Sequence, residues 1–375
     1  MPVASTKALA LFIFLQGADY MLGISVYLGN DLNEEFEIYL KKVKKIGFTS
    51  IFTSLHIPEE DPQLYKERLH RLGAAARQYN MELMADISPK SLGHLGFTWE
   101  NAEGLLEWGL TGLRVDYGIA ESAIVRLSKK MKIALNASTL TKDSLEKMKQ
   151  AGLRTESVEA WHNFYPRPET GLGRDAFSKV NEWLKQEGVT VMAFIPGDGS
   201  LRGPLFERLP TLEDHRSISP FSAFLDLIEN GCVDKVLVGD HTLTEESLEQ
   251  FASYRQGIFL LRAEQAIHDK SLLEIVGAVQ TNRLDAARDC IRSMESREYG
   301  LIGTRPVKAV NTVERPLGTI TVDNEKYERY QGEIQIAKRD LPADEKVNVI
   351  GRIKEDDRLL LQYMYGGSKF QIKWM

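Results

Sequence analysis

From Met21 onward the chain alternates short apolar, β-branched runs with longer stretches in which apolar residues return at helical spacing. The first pattern predicts strands and the second amphipathic helices. Strands are expected at residues 23–28, 49–55, 82–87, 112–116, 132–136, in a stretch that opens at Glu156, and at 190–195 and 235–238. Helices are expected at 33–46, with Asn30 and Asp31 as cap candidates, and at 62–79, 103–108, 121–128, 142–150, 175–186, 221–229 and 245–254. Eight strand–helix units in a row match a (β/α)8 TIM barrel. The competing doubly wound sheet would want a glycine-rich phosphate loop after the first strand, and YLGND is not one.

Residues 258–300 read as a connecting segment with one amphipathic helix at 284–293. The pattern then changes to strand-like runs at 318–322, 333–338, 347–353, 358–364 and 369–374, parted by turn signals. That is the signature of a small all-β barrel domain. The expected organisation is an N-terminal extension at 1–20, a catalytic barrel at 21–257, the connector, and a β domain at 301–375.

Strand parity locates the candidate chemistry, because alternate residues share a face. Asp86 and Ser88 share one face with Met84, Arg114 shares one with Asp116, Asn136 with Ser138, and Glu159 with Trp161 and Asn163. The opposite parity is apolar and suits packing under the helices. The polar set is therefore expected to converge in the barrel mouth, where enzymes of this fold place their sites. Asp116, Glu159 and Asp86 are the catalytic candidates, since glycoside hydrolysis uses two carboxyls across one bond. Trp161 offers either a flat face for a sugar ring or a core side chain. His162, Arg167, Asp198, Arg202 and Asp240 complete the candidate binding set. Arginine suits bidentate recognition of phosphate or carboxylate, while the two aspartates either bind hydroxyls or cap the next helices.

Charge and composition exclude more than they select. A formal net charge of -6, without a long basic run, gives no footprint for nucleic acid or a membrane surface. The two cysteines lack metal-ligand spacing and the histidines are scattered, so neither a metal nor another cofactor is expected. The apolar run at 8–15 is too short to span a bilayer as a helix. We expect Met21 to be the start and the location to be cytoplasmic; a genuine signal peptide would instead leave a surface-held binding protein.

The segments GISVYLGND, LRVDYG, LNAST, HNFYPRPETGLG, FIPGD, RGPLFERLPTLEDHR and RPLGTITVDN, with Tyr327 and Tyr330, resemble the bacterial 6-phospho-N-acetylmuramidase family from Met21 to the C-terminus. HNFYPRPETGL is the most specific of them. The resemblance implies a TIM barrel followed by a cyclophilin-like β-barrel. It also implies hydrolysis of the disaccharide 6-phospho-N-acetylmuramyl-β-1,4-N-acetylglucosamine in cell-wall recycling. A sugar-phosphate isomerase or lyase on the same barrel is the alternative enzyme. The second domain is left open between reaching substrate, through Arg315 or Asn324, and forming a homodimer. Asp86 has a further role open to it, orienting the 2-acetamido group if that group is the nucleophile.

Overall fold

A computed structural model of the chain describes residues 20–29, 31–55, 62–116, 118–298 and 306–375. The expectations placed on residues 1–19 and on Asn30 lie outside the described residues. Those that are described form two compact units, Tyr20–Leu248 and Glu249–Met375.

The first unit is a closed barrel of eight parallel strands: β1 (Met21–Ser25), β2 (Phe48–Ser54), β3 (Glu82–Ile87), β4 (Gly112–Val115), β5 (Lys132–Asn136), β6 (Val158–Trp161), β7 (Thr190–Ile195) and β8 (Lys235–Val238). Strand β8 pairs back with β1 and leaves no edge. The helices between them are α1 (Glu34–Ile46), α2 (Pro62–Gln78), α3 (Pro89–His94), α4 (Glu121–Ser128), α5 (Lys142–Gln150), α6 (Arg174–Gln186), α7 (Pro220–Asn230) and α8 (Glu245–Tyr254). Helix α1 is capped by Asn33, whose side chain accepts from Phe36 N, and not by Asp31. A 3-10 helix, Ala102–Trp108, docks on α2 at Gly73. A Cβ there would come within 1.7 Å of the Trp108 carbonyl oxygen, so only glycine permits this approach.

Inward-facing side chains stack in layers. The middle of the barrel is apolar, with Phe52, Met84, Trp161, Met192, Phe194 and Leu237 in one buried cluster. At the N-terminal ends of the strands lies a charged layer. Glu82, Lys132 and Lys235 each open their strand, and Glu159 is the second residue of β6. Lys235, fully buried, donates to both Glu159 oxygens at 2.9 and 2.8 Å and also to Glu82. Lys132 bridges the same two acids.

The second unit is a seven-stranded, mixed, barrel-like sheet. Its strands are β9 (Ile258–Gln265), β10 (Gln280–Thr281), β11 (Cys290–Arg292), β12 (Thr319–Asp323), β13 (Ile334–Ala337), β14 (Val347–Ile353) and β15 (Lys369–Trp374), in the order β10-β15-β9-β14-β12-β13-β11. Short helices α9 (Lys270–Val276), α10 (Met294–Glu298) and α11 (Glu355–Arg358) accompany them. Residues 258–292 are thus not a connector, since they supply three strands of this sheet. The helix expected at 284–293 is absent: Leu284 is 72% exposed, and β11 pairs antiparallel with β13. The strand expected at 358–364 is the end of α11 followed by a 3-10 turn, Leu359–Tyr363. Among the described residues no helix is long and apolar enough to cross a membrane, and no group of three acidic, histidine or cysteine side chains is placed to hold a metal ion.

Candidate active site

Two carboxylates stand at the C-terminal ends of β3 and β4, each held by a buried neighbour. Asp86 and Arg114 are Cα partners across β3 and β4. Arg114, 4% exposed, donates from Nη1 to Asp86 Oδ1 at 2.8 Å, and from Nη2 to the Asn163 side-chain oxygen. The one guanidinium thereby ties β3, β4 and the chain leaving β6 together. Asp116, just beyond β4, is exposed and accepts from the buried Asn136 Nδ2 at 2.6 Å. Asn136 is fixed in turn by the Ser138 backbone N–H, while the Ser138 side chain points to solvent. This is a rigid polar floor carrying one exposed acid and one ion-paired acid.

Aromatic rings and a cation flank it. The Arg202 guanidinium lies 4.1 Å from the centre of the Tyr27 ring and 5.6 Å from that of Phe164. Burial pushes the Tyr27 hydroxyl above its ordinary pKa, and that hydroxyl donates to the Gly239 carbonyl oxygen at 2.5 Å. Neither Tyr27 nor Phe164 was singled out by strand parity. Phe164 follows Asn163 inside the most specific motif, which is the one signal pointing to it.

The loops after β6 and β7 are stitched together. Tyr165 N donates to Pro210 O and Leu172 N to Thr211 O. Arg216 pairs with Glu213 through Nε at 2.6 Å and donates to the carbonyl oxygens of Tyr165, Arg167, Glu207 and Arg208. Glu213 also accepts from Glu169 N and Gly171 N. Arg216 beside it holds the Glu213 carboxyl at about 2, below the ordinary value. Arg167 projects into solvent, whereas Arg174 is ion-paired with Asp226 at 2.7 Å.

Several expected site residues lie elsewhere. Glu159 faces into the barrel as its parity requires, but in the charged layer at the N-terminal ends of the strands, so it does not join Asp86 and Asp116. Trp161 is fully buried, donates to Glu159 Oε2 at 2.6 Å and offers no face to a ligand. His162 has the opposite parity and is buried under α6, where it meets Asn181 at 2.7 Å and the Phe177 ring. Ser88 caps α3 by accepting from Ser91 N. Asp198 accepts from Thr244 N and Ser247 Oγ at the start of α8. Asp240, fully buried, accepts the backbone N–H groups of Gly197, Arg202 and Leu209 and pins the loop after β7. The sequence signal for Glu159 was present: Lys132 and Lys235 open their strands, and a buried carboxylate seeks such partners.

Fold and mouth together define a (β/α)8-barrel protein with acids at the C-terminal strand ends, joined to a barrel-like β unit. Residues 22–253 match the N-terminal domain of 6-phospho-N-acetylmuramidases, and residues 259–373 match their C-terminal domain. The chain belongs to the 6-phospho-N-acetylmuramidase family. It is similar to a solved conserved protein of unknown function from Enterococcus faecalis, at 45% identity over 94% of this chain and 96% of that one, with a TM-score of 0.86. It is also similar to an uncharacterised Bacillus cereus protein, at 25% identity over 95% and 99% of the two chains, with a TM-score of 0.73. No curated protein matches it.

Proposed function

We propose that the protein is a glycosidase that hydrolyses 6-phospho-N-acetylmuramyl-β-1,4-N-acetylglucosamine to 6-phospho-N-acetylmuramate and N-acetylglucosamine, in cell-wall recycling. Membership of the 6-phospho-N-acetylmuramidase family across both units carries this reading. The mouth suits it chemically. Asp116, exposed and held by Asn136, is the group to exchange a proton with the glycosidic oxygen. Asp86, paired with Arg114, is the carboxylate to meet the oxocarbenium-like carbon or to orient the 2-acetamido group. Arg202 and Arg167 are the cations for the phosphate and the lactyl carboxylate. Glu159 is left out of the chemistry, because two lysines and an indole already satisfy it. Such a substrate arises by phosphorylating uptake, so the reading carries a cytoplasmic location with it.

Rates of cleavage of the phosphorylated and the unphosphorylated disaccharide test the substrate, and equal rates would overturn the phosphate requirement. Asp116→Asn and Asp86→Asn should each lower kcat by at least about 100-fold with unchanged circular dichroism, the scale of a lost general acid or base. The anomer released first, read by proton NMR, separates retention from inversion. That outcome follows from a carboxyl spacing of about 5–5.5 Å against about 6.5–9.5 Å.

A further inference from the structure

The chain that leaves β6 carries an amide whose orientation is already decided. Asn163 keeps the inward parity of Glu159 and Trp161, and β6 ends at Trp161, so Asn163 stands just past the strand end, at the mouth. It is held at two points. Its backbone carbonyl oxygen accepts from the hydroxyl of Thr211, fully buried, at 2.8 Å. Its side-chain oxygen accepts from Nη2 of the buried Arg114. A guanidinium donates and cannot accept, so the amide atom that meets it is the oxygen and not the nitrogen. Both N–H groups of Nδ2 therefore lie on the other side of the amide.

Those two N–H groups donate to no described residue. They are not enclosed either: Asn163 is half-buried, and its Nδ2 is not among the buried side-chain atoms that lack a partner. They open on the mouth. The neighbouring amide and phenol are already spent, Asn136 Nδ2 on Asp116 and the Tyr27 hydroxyl on Gly239 O. Asn181, buried under α6, shows the structural use of the same side chain, since its oxygen meets His162 and its Nδ2 donates to Gly231 O. Asn163 leaves half of its amide unused. Arg114 also gives Nη1 to Asp86 Oδ1 at 2.8 Å, so one fork sets the Asn163 donors beside that carboxylate.

We propose that Asn163 sets specificity for an N-acylated sugar by donating from Nδ2 to the carbonyl oxygen of the 2-acetamido group, with Arg114 as the positioning residue that orients the amide. The inference rests on the muramidase reading above. In either role given to it there, Asp86 acts at the anomeric carbon or at the substituent on the adjoining C2. A donor beside Asp86 therefore falls beside that substituent, and the acceptor an acetamido group presents is its carbonyl oxygen. Because both ends of Asn163 are fixed before the sugar arrives, the bond needs no reordering of the protein. A sugar without an acyl oxygen forgoes it.

The test is calorimetric titration of the full chain with 6-phospho-N-acetylmuramate and with its N-thioacetyl counterpart. The exchange of oxygen for sulfur keeps the N–H and the shape but leaves a weak acceptor. The wild type should bind the oxygen compound roughly three- to tenfold more tightly, the worth of one neutral hydrogen bond. Asn163→Asp keeps an oxygen for Arg114 and removes the donor, so its preference for the oxygen compound should vanish. A residue that only packs would weaken both sugars alike when changed and leave the preference intact, and that result overturns the proposal. A wild type that binds both sugars equally, or neither, overturns it too. If Asn163→Asp does not fold, Asn163→Ala takes its place: a lost preference supports the proposal and a retained one ends it. Failure of the muramidase reading looks different. The wild type would then not cleave the phosphorylated disaccharide, whatever the titrations give.

Discussion

Glu159 shows how far residue-level reading reaches. Alternation with Trp161 and Asn163 correctly turns it inward, but parity assigns a face and not a height. Height follows from where a residue falls within its strand: Asp86 is near the end of β3, Glu159 near the start of β6. Side chains of one face therefore occupy different depths of the barrel: Glu82 and Glu159 pair with lysines below, while above them Asp86 pairs with Arg114 and Asp116 meets solvent. At this scale the two uses of a carboxylate separate experimentally. Lys235→Met removes a fully buried cation and leaves Glu159, itself 4% exposed, with the Trp161 indole and the one remaining described cation, Lys132. Breaking a buried pair from one side costs roughly 3–5 kcal/mol, and urea unfolding should show a loss of about that size. Glu159→Gln should lower stability while leaving turnover per folded molecule unchanged. A 100-fold fall in kcat with the fold intact would return Glu159 to the chemistry.

At the scale of elements the sequence was most legible where a run was short, β-branched and bounded by polar residues. Strands β3, β5, β7 and β8, and helices α4, α5 and α8, begin and end where the pattern puts them. It was least legible in the second unit. Leu360, Leu361, Tyr363 and Met364, broken only by Gln362, make an apolar run that reads as strand, although the first three are buried from a 3-10 turn and Met364 just after it. Periodicity does not separate those cases. Nor could it reveal the ion pair that organises the mouth loops, because Arg216 and Glu213 serve four carbonyls and two N–H groups of partners distant in the chain or on neighbouring turns. Lysine keeps the charge of Arg216 but not its planar fork. Arg216→Lys should therefore loosen residues 163–174 and lower kcat/KM by roughly 10- to 100-fold, the range in which small misplacements act. Tm should change little, and faster amide exchange confined to the two loops would locate the effect.

For the whole molecule, one buried titratable group in each unit gives stability opposite dependences on pH. In the barrel, Asn181 donates from Nδ2 to the Gly231 carbonyl, so its oxygen accepts from His162 Nε2. Nδ1 of His162 is then a lone pair enclosed without a partner among the described residues. Burial, as the main cause, lowers this histidine from 6.5 to about 4. The unfolded chain binds the extra proton first, so the stability that neutral His162 permits is complete above pH 6.5 and drains away as pH falls toward 4. A shift of that size corresponds to about 3 kcal/mol. Asp323 works the other way. Its carboxyl is raised from 3.8 to about 7, so between those values the folded chain holds the proton and stability falls as pH rises. Bulk stability curves will blur the two because they offset each other across the same window. Differences between variants will not. The Tm of His162→Gln minus that of the wild type should grow more positive as pH falls from 6.5 to 4.5. The same difference for Asp323→Asn should grow more positive as pH rises from 4.5 to 7. Scanning calorimetry of the three proteins over that range reads both slopes. A flat difference for His162→Gln would mean that the Nδ1 site is hydrated and not enclosed, and a flat one for Asp323→Asn that its carboxyl is already satisfied in the resting protein.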